Sequence, residues 1–177
     1  MRKDVLTIVG EGLFGADWIP IMENQKFSFR KEFKTSLSRK YNEEQRLPSK
    51  KKYKVHILAG NEIEKKQERT TENLKRLAEE KYGFKSFETL KGEGVFLCRL
   101  KISNQKMREM GFDYISMLHK PYEDDYGDEG FIIFDDSLQD NIYLYYAEMN
   151  DYWAKNGGFI FLEEIPVPQS KKDKKPL

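Results

Sequence analysis

The sequence has few of the residues that build metal clusters and disulfide frameworks. Its 177 residues include one cysteine, Cys98, and two histidines, His56 and His119. A single cysteine excludes an internal disulfide and any zinc site built on several thiolates, and it favours a reducing compartment. We therefore expect a cytoplasmic protein, and we predict neither a cofactor nor a metal site.

Long apolar runs are also missing. The uncharged apolar stretches are far shorter than the roughly 20 residues that a membrane-spanning helix needs, so no membrane contact is expected. The run Val5–Val9 is too short for the apolar part of a signal peptide, and it predicts a strand instead. Apolar residues make up only 38% of the chain, but 12 Phe and 10 Tyr supply bulky material for a small core rich in rings. A chain of this length is expected to form one domain.

The charge is divided along the chain, although the net charge is only +1. Residues 26–54 carry eleven Lys or Arg side chains against three Glu, whereas residues 122–151 carry ten acidic side chains and no Lys or Arg. Opposite fields of this size select different partners. Because the central parts of both segments have the composition of loops, we expect the two charged surfaces to lie on different faces.

Hydrophobic patterning predicts an α+β fold. Residues 53–164 follow the order strand, helix, strand, short helix, two strands, helix, strand, which is close to a βαββαβ core. Residues 1–52 are expected to add an N-terminal extension with strands and a basic arm, and residues 166–177 a disordered basic tail. The predicted elements include strands at 26–33, 53–58, 95–102, 114–118, 131–134 and 159–162, and helices at 61–82, 103–110 and 136–156. Residues 34–52 are predicted to form a loop or weak helix.

Four motifs have weak functional readings. Gly10, Gly12 and Gly15 have the spacing of a dinucleotide-binding turn, but a proline follows and no acidic strand end is found further on. Residues 91–98 partly match an RNA-binding signature but lack its stacking rings. Residues 125–136 echo a calcium-binding loop with Gly127 at a ligand position. The two histidines lack the nearby hydroxyl residues of a phosphodiesterase pair. Because each of the four motifs departs from its functional pattern, ordinary structural roles are favoured for all of them.

The charged segments carry the candidate site residues. Cations contact phosphates, and the rings interleaved with them can stack on unpaired bases, so the basic segment is a candidate for binding nucleic acid or an acidic partner. The residues predicted for this role are Arg30, Lys34, Arg39, Lys40, Arg46, Lys50, Lys51 and Lys52. The acidic segment is a candidate for a basic protein partner through Glu123, Asp124, Asp125, Asp128, Glu129 and Asp135.

Three hypotheses on function follow. The first is a non-enzymatic binding or accessory protein that contacts nucleic acid, with a composition compatible with a phage or mobile element. The second is an inhibitor or interaction protein whose acidic surface, residues 122–136, imitates nucleic acid and binds a basic protein. The third is a divalent-metal phosphodiesterase that uses the acidic residues near His119.

Overall fold

The computed structural model describes residues 6–13, 15–39, 43–83, 90–136, 142–146 and 151–166. These residues form a single-domain α+β fold with a mixed sheet of seven strands, which confirms the predicted class. No helix within these ranges is long and apolar enough to span a membrane. The predicted tail, except for Pro166, lies outside the described residues.

Five α-helices and seven strands make up this part of the chain. The helices are α1 (Gly15–Asn24), α2 (Lys31–Arg39), α3 (Thr71–Tyr82), α4 (Gly92–Lys101) and α5 (Asn104–Glu109). The strands are β1 (Thr7–Val9), β2 (Lys52–Ala59), β3 (Tyr114–Met117), β4 (Tyr122–Glu123), β5 (Glu129–Asp135), β6 (Ile142–Tyr145) and β7 (Gly157–Glu164).

The sheet runs in the order β1-β2-β7-β3-β5-β4, with β6 also paired to β5. All neighbours are antiparallel except β3 and β7, which are parallel. The longest pairing joins β2 to β7, from Tyr53 opposite Glu164 to Ala59 opposite Gly158. The central strand β7 is buried from Gly157 to Leu162, so the core extends along both of its faces.

Helix α4 occupies the centre of the molecule, where a strand was predicted for 95–102. Every residue from Gly92 to Arg99 is buried. Its glycines allow this close packing, since a Cβ on Gly94 would lie 2.7 Å from the Met117 side chain. A helix that is buried on all sides shows no 3.6-residue apolar period, and its short apolar run, here residues 95–98, cannot be distinguished from a buried strand by pattern alone. The strand prediction was wrong for this reason.

The segment 26–33 was predicted to be a strand and its basic continuation, residues 34–52, a loop or weak helix, but α2 spans Lys31–Arg39. Phe29, Phe33 and Leu37 are four residues apart and all are buried, which is the spacing of one helix face. Only Phe29 keeps a strand-like contact, an isolated parallel bridge to Ile142. The alternating phenylalanines therefore belong to an irregular segment with one bridge residue and to the start of α2.

The helix predicted for 136–156 is not formed where the structure describes this range. Residues 142–145 are strand β6, and Trp153 lies outside regular structure but is only 3% exposed. Of the positions expected in the core, Ile142 is buried whereas Tyr145 is 38% exposed. Leu138 and Met149 lie outside the described residues. The spacing of the apolar residues was compatible with both the helical and the strand period. Residues 142–145 form a strand because they pair with β5.

Helix termini were predicted with mixed success. Gly83 ends α3 in the left-handed conformation as expected, and α5 lies within its predicted range, with the Ser103 side chain accepting from the backbone N–H of Lys106. The start of α3 differs from the prediction. Thr70 caps it by accepting from the Asn73 N–H, whereas the predicted start near Asn61 is a 3-10 turn. After β2 the described residues thus form three α-helices and then five strands, which differs from the βαββαβ order.

Replacing Trp153 with alanine should lower the free energy of unfolding by about 3 to 5 kcal/mol, as expected for a large buried ring. The indole packs between the rings of Phe131 and Phe159, whose centroids lie 5.6 and 5.4 Å away. Equilibrium denaturation by urea provides the measurement. The neighbouring Tyr152→Ala variant is the control, because Tyr152 is 44% exposed and its loss should cost less than about 1 kcal/mol. Equal losses in the two variants would contradict the burial of Trp153.

Candidate binding surfaces

The turn between β4 and β5 forms an acidic hairpin, defined here as residues 123–129, that is organised by the buried carboxylate of Asp124. Its Oδ1 accepts from the backbone N–H groups of Tyr126 and Asp128 at 2.8 and 2.9 Å. Its Oδ2 accepts from the Tyr146 hydroxyl at 3.0 Å, which ties the hairpin to the end of β6. Gly127 supplies a positive φ of 88° at the turn. Asp124 is only 6% exposed, so its role is to hold the hairpin rather than to meet a partner.

The other side chains of the acidic hairpin face solvent. Glu123, Asp128 and Glu129 are exposed and Asp125 is half-buried. Tyr126 is 85% exposed, the largest value among the exposed large hydrophobic side chains of the described residues. The hairpin therefore presents a ring surrounded by carboxylates on a backbone that is already ordered.

The remaining predicted acidic residue lies elsewhere. Asp135 is at the far end of β5, and a strand rises by about 3.3 Å per residue, so it lies roughly 20 Å from Glu129. There it is close enough to the buried guanidinium of Arg99 to oppose the fall in pKa that burial causes in that group. Asp135 therefore belongs to a different part of the surface.

A groove of about 530 Å³ runs between the acidic hairpin and α2. Ser36 of α2, which is buried, joins its two walls, because its Oγ accepts from the backbone N–H of Asp125 at 3.3 Å. The groove is lined by Lys31, Glu32, Thr35, Ser36, Asp124, Asp125 and Tyr126. Because Lys31 and Asp125 line one groove, the basic and acidic segments meet here instead of lying wholly on different faces.

The predicted basic residues are divided between two regions. Arg30 and Lys34 are near α2, where the Arg30 guanidinium lies 3.7 Å from the centre of the Tyr143 ring and Lys34 forms an ion pair with Glu23. Lys50, Lys51 and Lys52 are at the start of β2. Strands β7, β3 and β5 separate β2 from β6, which corresponds to about 19 Å across the sheet. The sheet therefore keeps the two groups apart.

Several of these cations already have intramolecular partners. Lys51 pairs with Glu164 at 2.8 Å, and Arg46 lies 3.5 Å from the carbonyl oxygen of Gly12. Lys50 and Lys52 are exposed. The side chain of Arg39 and all of Lys40 lie outside the described part of the chain. Lys50 and Lys52 are thus the most accessible predicted phosphate contacts at the start of β2.

The glycine motif after β1 contacts the motif at residues 91–98 through Glu93, and this contact gives both motifs a structural role. The loop after β1 directs the backbone N–H groups of Glu11, Gly12 and Leu13 at Oε1 of Glu93, at 2.9, 2.9 and 3.4 Å. Oε2 of Glu93 accepts from the Leu47 N–H at 2.6 Å. Burial raises the pKa of Glu93, and these N–H groups oppose that shift. The donors that a phosphate would use in a nucleotide-binding turn thus bind an internal carboxylate.

The two histidines have separate structural contacts. His56 on β2 lies 2.7 Å from a carboxylate oxygen of Glu163 and stacks on Tyr82. His119 is fully buried, and its Nε2 accepts from the Ile132 N–H at 3.0 Å while Nδ1 faces the Lys120 carbonyl. Within the described ranges, no group of three or more His, Cys, Asp or Glu side chains could hold a metal ion.

Comparison with known proteins gave no matching family model, no similar curated protein and no similar solved structure. Function is therefore inferred from the chain's own surfaces. Sequence reasoning overlooked Tyr126, Ser36 and Tyr146 in the candidate surface. A tyrosine within an acidic run was a usable signal for Tyr126, whereas the contacts of Ser36 and Tyr146 depend on α2 and β6, which had been assigned to other structures.

The Glu93→Gln variant should be less stable than wild type by about 2 to 4 kcal/mol. An amide has one acceptor oxygen, so it leaves the N–H groups on one side of residue 93 without a partner. Urea denaturation gives the stability, and hydrogen exchange should accelerate at the amides of Gly12 and Leu47. The exposed Glu11→Gln variant makes the same charge change and should differ from wild type by less than about 0.5 kcal/mol. Equal stability of all three proteins would contradict this role of Glu93.

His119 should make stability depend on pH. Burial lowers the pKa of His119 to about 4, below the value of about 6.5 in an unfolded chain. Between these values the unfolded chain binds a proton that the folded protein does not, so stability falls as the pH falls. We expect a loss of about 1 to 2 kcal/mol from this group between about pH 7 and pH 5. Denaturation of wild type and His119→Phe at both pH values measures this contribution as the difference between their losses of unfolding free energy. Equal losses in the two proteins would contradict the prediction.

Proposed function

We propose that this protein is a non-enzymatic interaction protein that binds a lysine- and arginine-rich segment of a partner protein in the groove between α2 and the acidic hairpin. The observation that carries the proposal is the position of Tyr126, which is 85% exposed and borders the groove. Tyrosine contributes a large contact area with little loss of side-chain entropy, and it is enriched at the centres of protein interfaces.

The charge of the groove supports a basic partner. Glu32 and Asp125 line it, and Glu123, Asp128 and Glu129 belong to the same hairpin. Carboxylates around an exposed ring favour arginine and lysine, because the cation can contact both the ring face and a carboxylate. Such complementary charge accelerates association and excludes acidic partners.

The order within the acidic hairpin supports tight binding. Asp124 fixes the turn through Tyr126 and Asp128, and Ser36 fixes it to α2. A recognition loop that is ordered before it meets its partner loses less conformational entropy on binding. The hairpin therefore has the properties of a preorganised recognition element.

Nucleic-acid binding through the basic segment is the second candidate function, supported by the exposed side chains of Lys50 and Lys52. Two observations favour the groove over this segment. The predicted phosphate contacts are divided between two regions of the sheet, and Lys34 and Lys51 are paired with Glu23 and Glu164. The carboxylates of the hairpin would also repel a nucleic acid that approached α2.

A peptide-display library selected on the immobilised protein tests the proposal. Peptides rich in arginine and lysine should be enriched. Their affinity should fall by at least about 30-fold in Tyr126→Ala, the loss expected for an interface hot spot. Replacing Asp125 and Asp128 with asparagine should weaken binding further and reduce its dependence on salt. Tyr152→Ala and Glu72→Gln are the controls, because they remove a tyrosine ring and a carboxylate charge from exposed surface outside the groove.

Two outcomes would refute the groove as the binding site. One is the enrichment of peptides without basic residues, and the other is equal affinity of wild type and Tyr126→Ala. Binding of single-stranded DNA or RNA at low salt would instead support the basic segment. In that case, replacing Lys50, Lys51 and Lys52 with glutamine should flatten the slope of log affinity against log salt by about 2 to 3 units, with no change in sequence preference.

A further inference from the structure

The indole N–H of Trp18 has no hydrogen-bond partner among the described residues, although the side chain is only 2% exposed. The other tryptophan differs, because Trp153 donates its indole N–H to Thr71 Oγ1 at 3.0 Å. A buried N–H without a partner carries the full cost of its lost hydration, so native proteins almost always satisfy such groups with protein or with ordered water.

Trp18 lines a small cavity where α1, α4 and the segment before β2 meet. The cavity volume is about 20 Å³. A space of about 10 to 15 Å³ is enough for one water, and no organic ligand fits in so small a volume. The cavity has apolar walls from Leu13, Leu37, Phe96 and Ile132 and polar groups from Gln45, Glu93 and Tyr122.

The polar groups of the cavity retain the capacity to accept hydrogen bonds. Among the described residues, Glu93 Oε2 accepts one bond, from the Leu47 N–H, and a carboxylate oxygen can accept two. Gln45 Oε1 likewise accepts one bond, from the Gly92 N–H at 2.7 Å. Trp18, Glu93 and Gln45 all line the cavity, so it brings together one donor without a partner and two acceptors that, among the described residues, each accept one bond.

We propose that this cavity is the binding site of one structural water, which accepts from Trp18 Nε1 and donates to Glu93 Oε2 and Gln45 Oε1. A buried water typically makes about three hydrogen bonds, which is the number these groups offer. The water joins α1, which carries Trp18, to α4 and to the residues before β2. It thereby extends the contacts of Glu93 with the loop that follows β1.

NMR of the wild-type protein with ¹⁵N-labelled tryptophan tests the proposal, with the Trp18→Phe variant used to assign the two indole signals. The Trp18 indole proton should show a direct Overhauser contact to water with the sign of a long-lived bound molecule. The Trp153 indole proton, which donates to Thr71, is the internal control and should show none. Absence of the contact at Trp18 in the wild-type protein would overturn the proposal.

Oxygen-17 relaxation dispersion gives a second readout. One long-lived water present in wild type should be lost in Trp18→Phe, because phenylalanine has no N–H to hold it. An unchanged number of long-lived waters in the folded variant would refute the site. If the variant fails to fold, the wild-type measurement of the Trp18 proton decides the question alone.

Discussion

The hydrogen bonds of the Glu93 carboxylate are the interaction on which the fold depends. The donors are the N–H groups of residues 11–13 and of Leu47, which are far apart in sequence and flank β1 and β2. A carboxylate can be buried only when such donors replace its hydration. Because Glu93 is on α4, these bonds fix both segments around a helix whose residues from Gly92 to Arg99 are all buried. The N–H groups of residues 11–13 bind an anion of the protein itself, so these three donors are already used.

Further contacts of the core connect α4 to the acidic hairpin. Gln45 accepts from the Gly92 N–H at the start of α4 and donates to the carbonyl of Lys120, just before β4. On the other side, rings pack in sequence from Phe96 of α4 through Phe29 and Phe33 to Tyr122 of β4. Aromatic pairs at these separations add stability beyond the area they bury. The hairpin that presents Tyr126 is therefore held by the same core that encloses Glu93.

The sequence predicted correctly those elements whose hydrophobic period and end signals lie within the element itself. The strands at 53–58, 114–118, 131–134 and 159–162 and the helix at 103–110 agree with the structure to within a few residues, because alternation, caps and glycines mark them. Helix α4 and strand β6 were assigned the wrong type. Both are short, and their apolar residues satisfy either period, so the choice depended on the neighbours that each segment packs against.

The same division applies to the candidate surface. The sequence by itself determined that a strongly acidic run and a strongly basic run exist, and that the acidic run contains a tyrosine. Only the tertiary structure decided the roles of Asp124 and Asp125, which are identical in type and adjacent in sequence. Both line the groove, but Asp124 is buried as the acceptor of the turn, whereas Asp125 is half-buried. The tertiary structure also divided the basic residues between two regions of the sheet. Charge is a property of composition, whereas accessibility depends on which segments pack together, and that packing is set by contacts between residues distant in sequence.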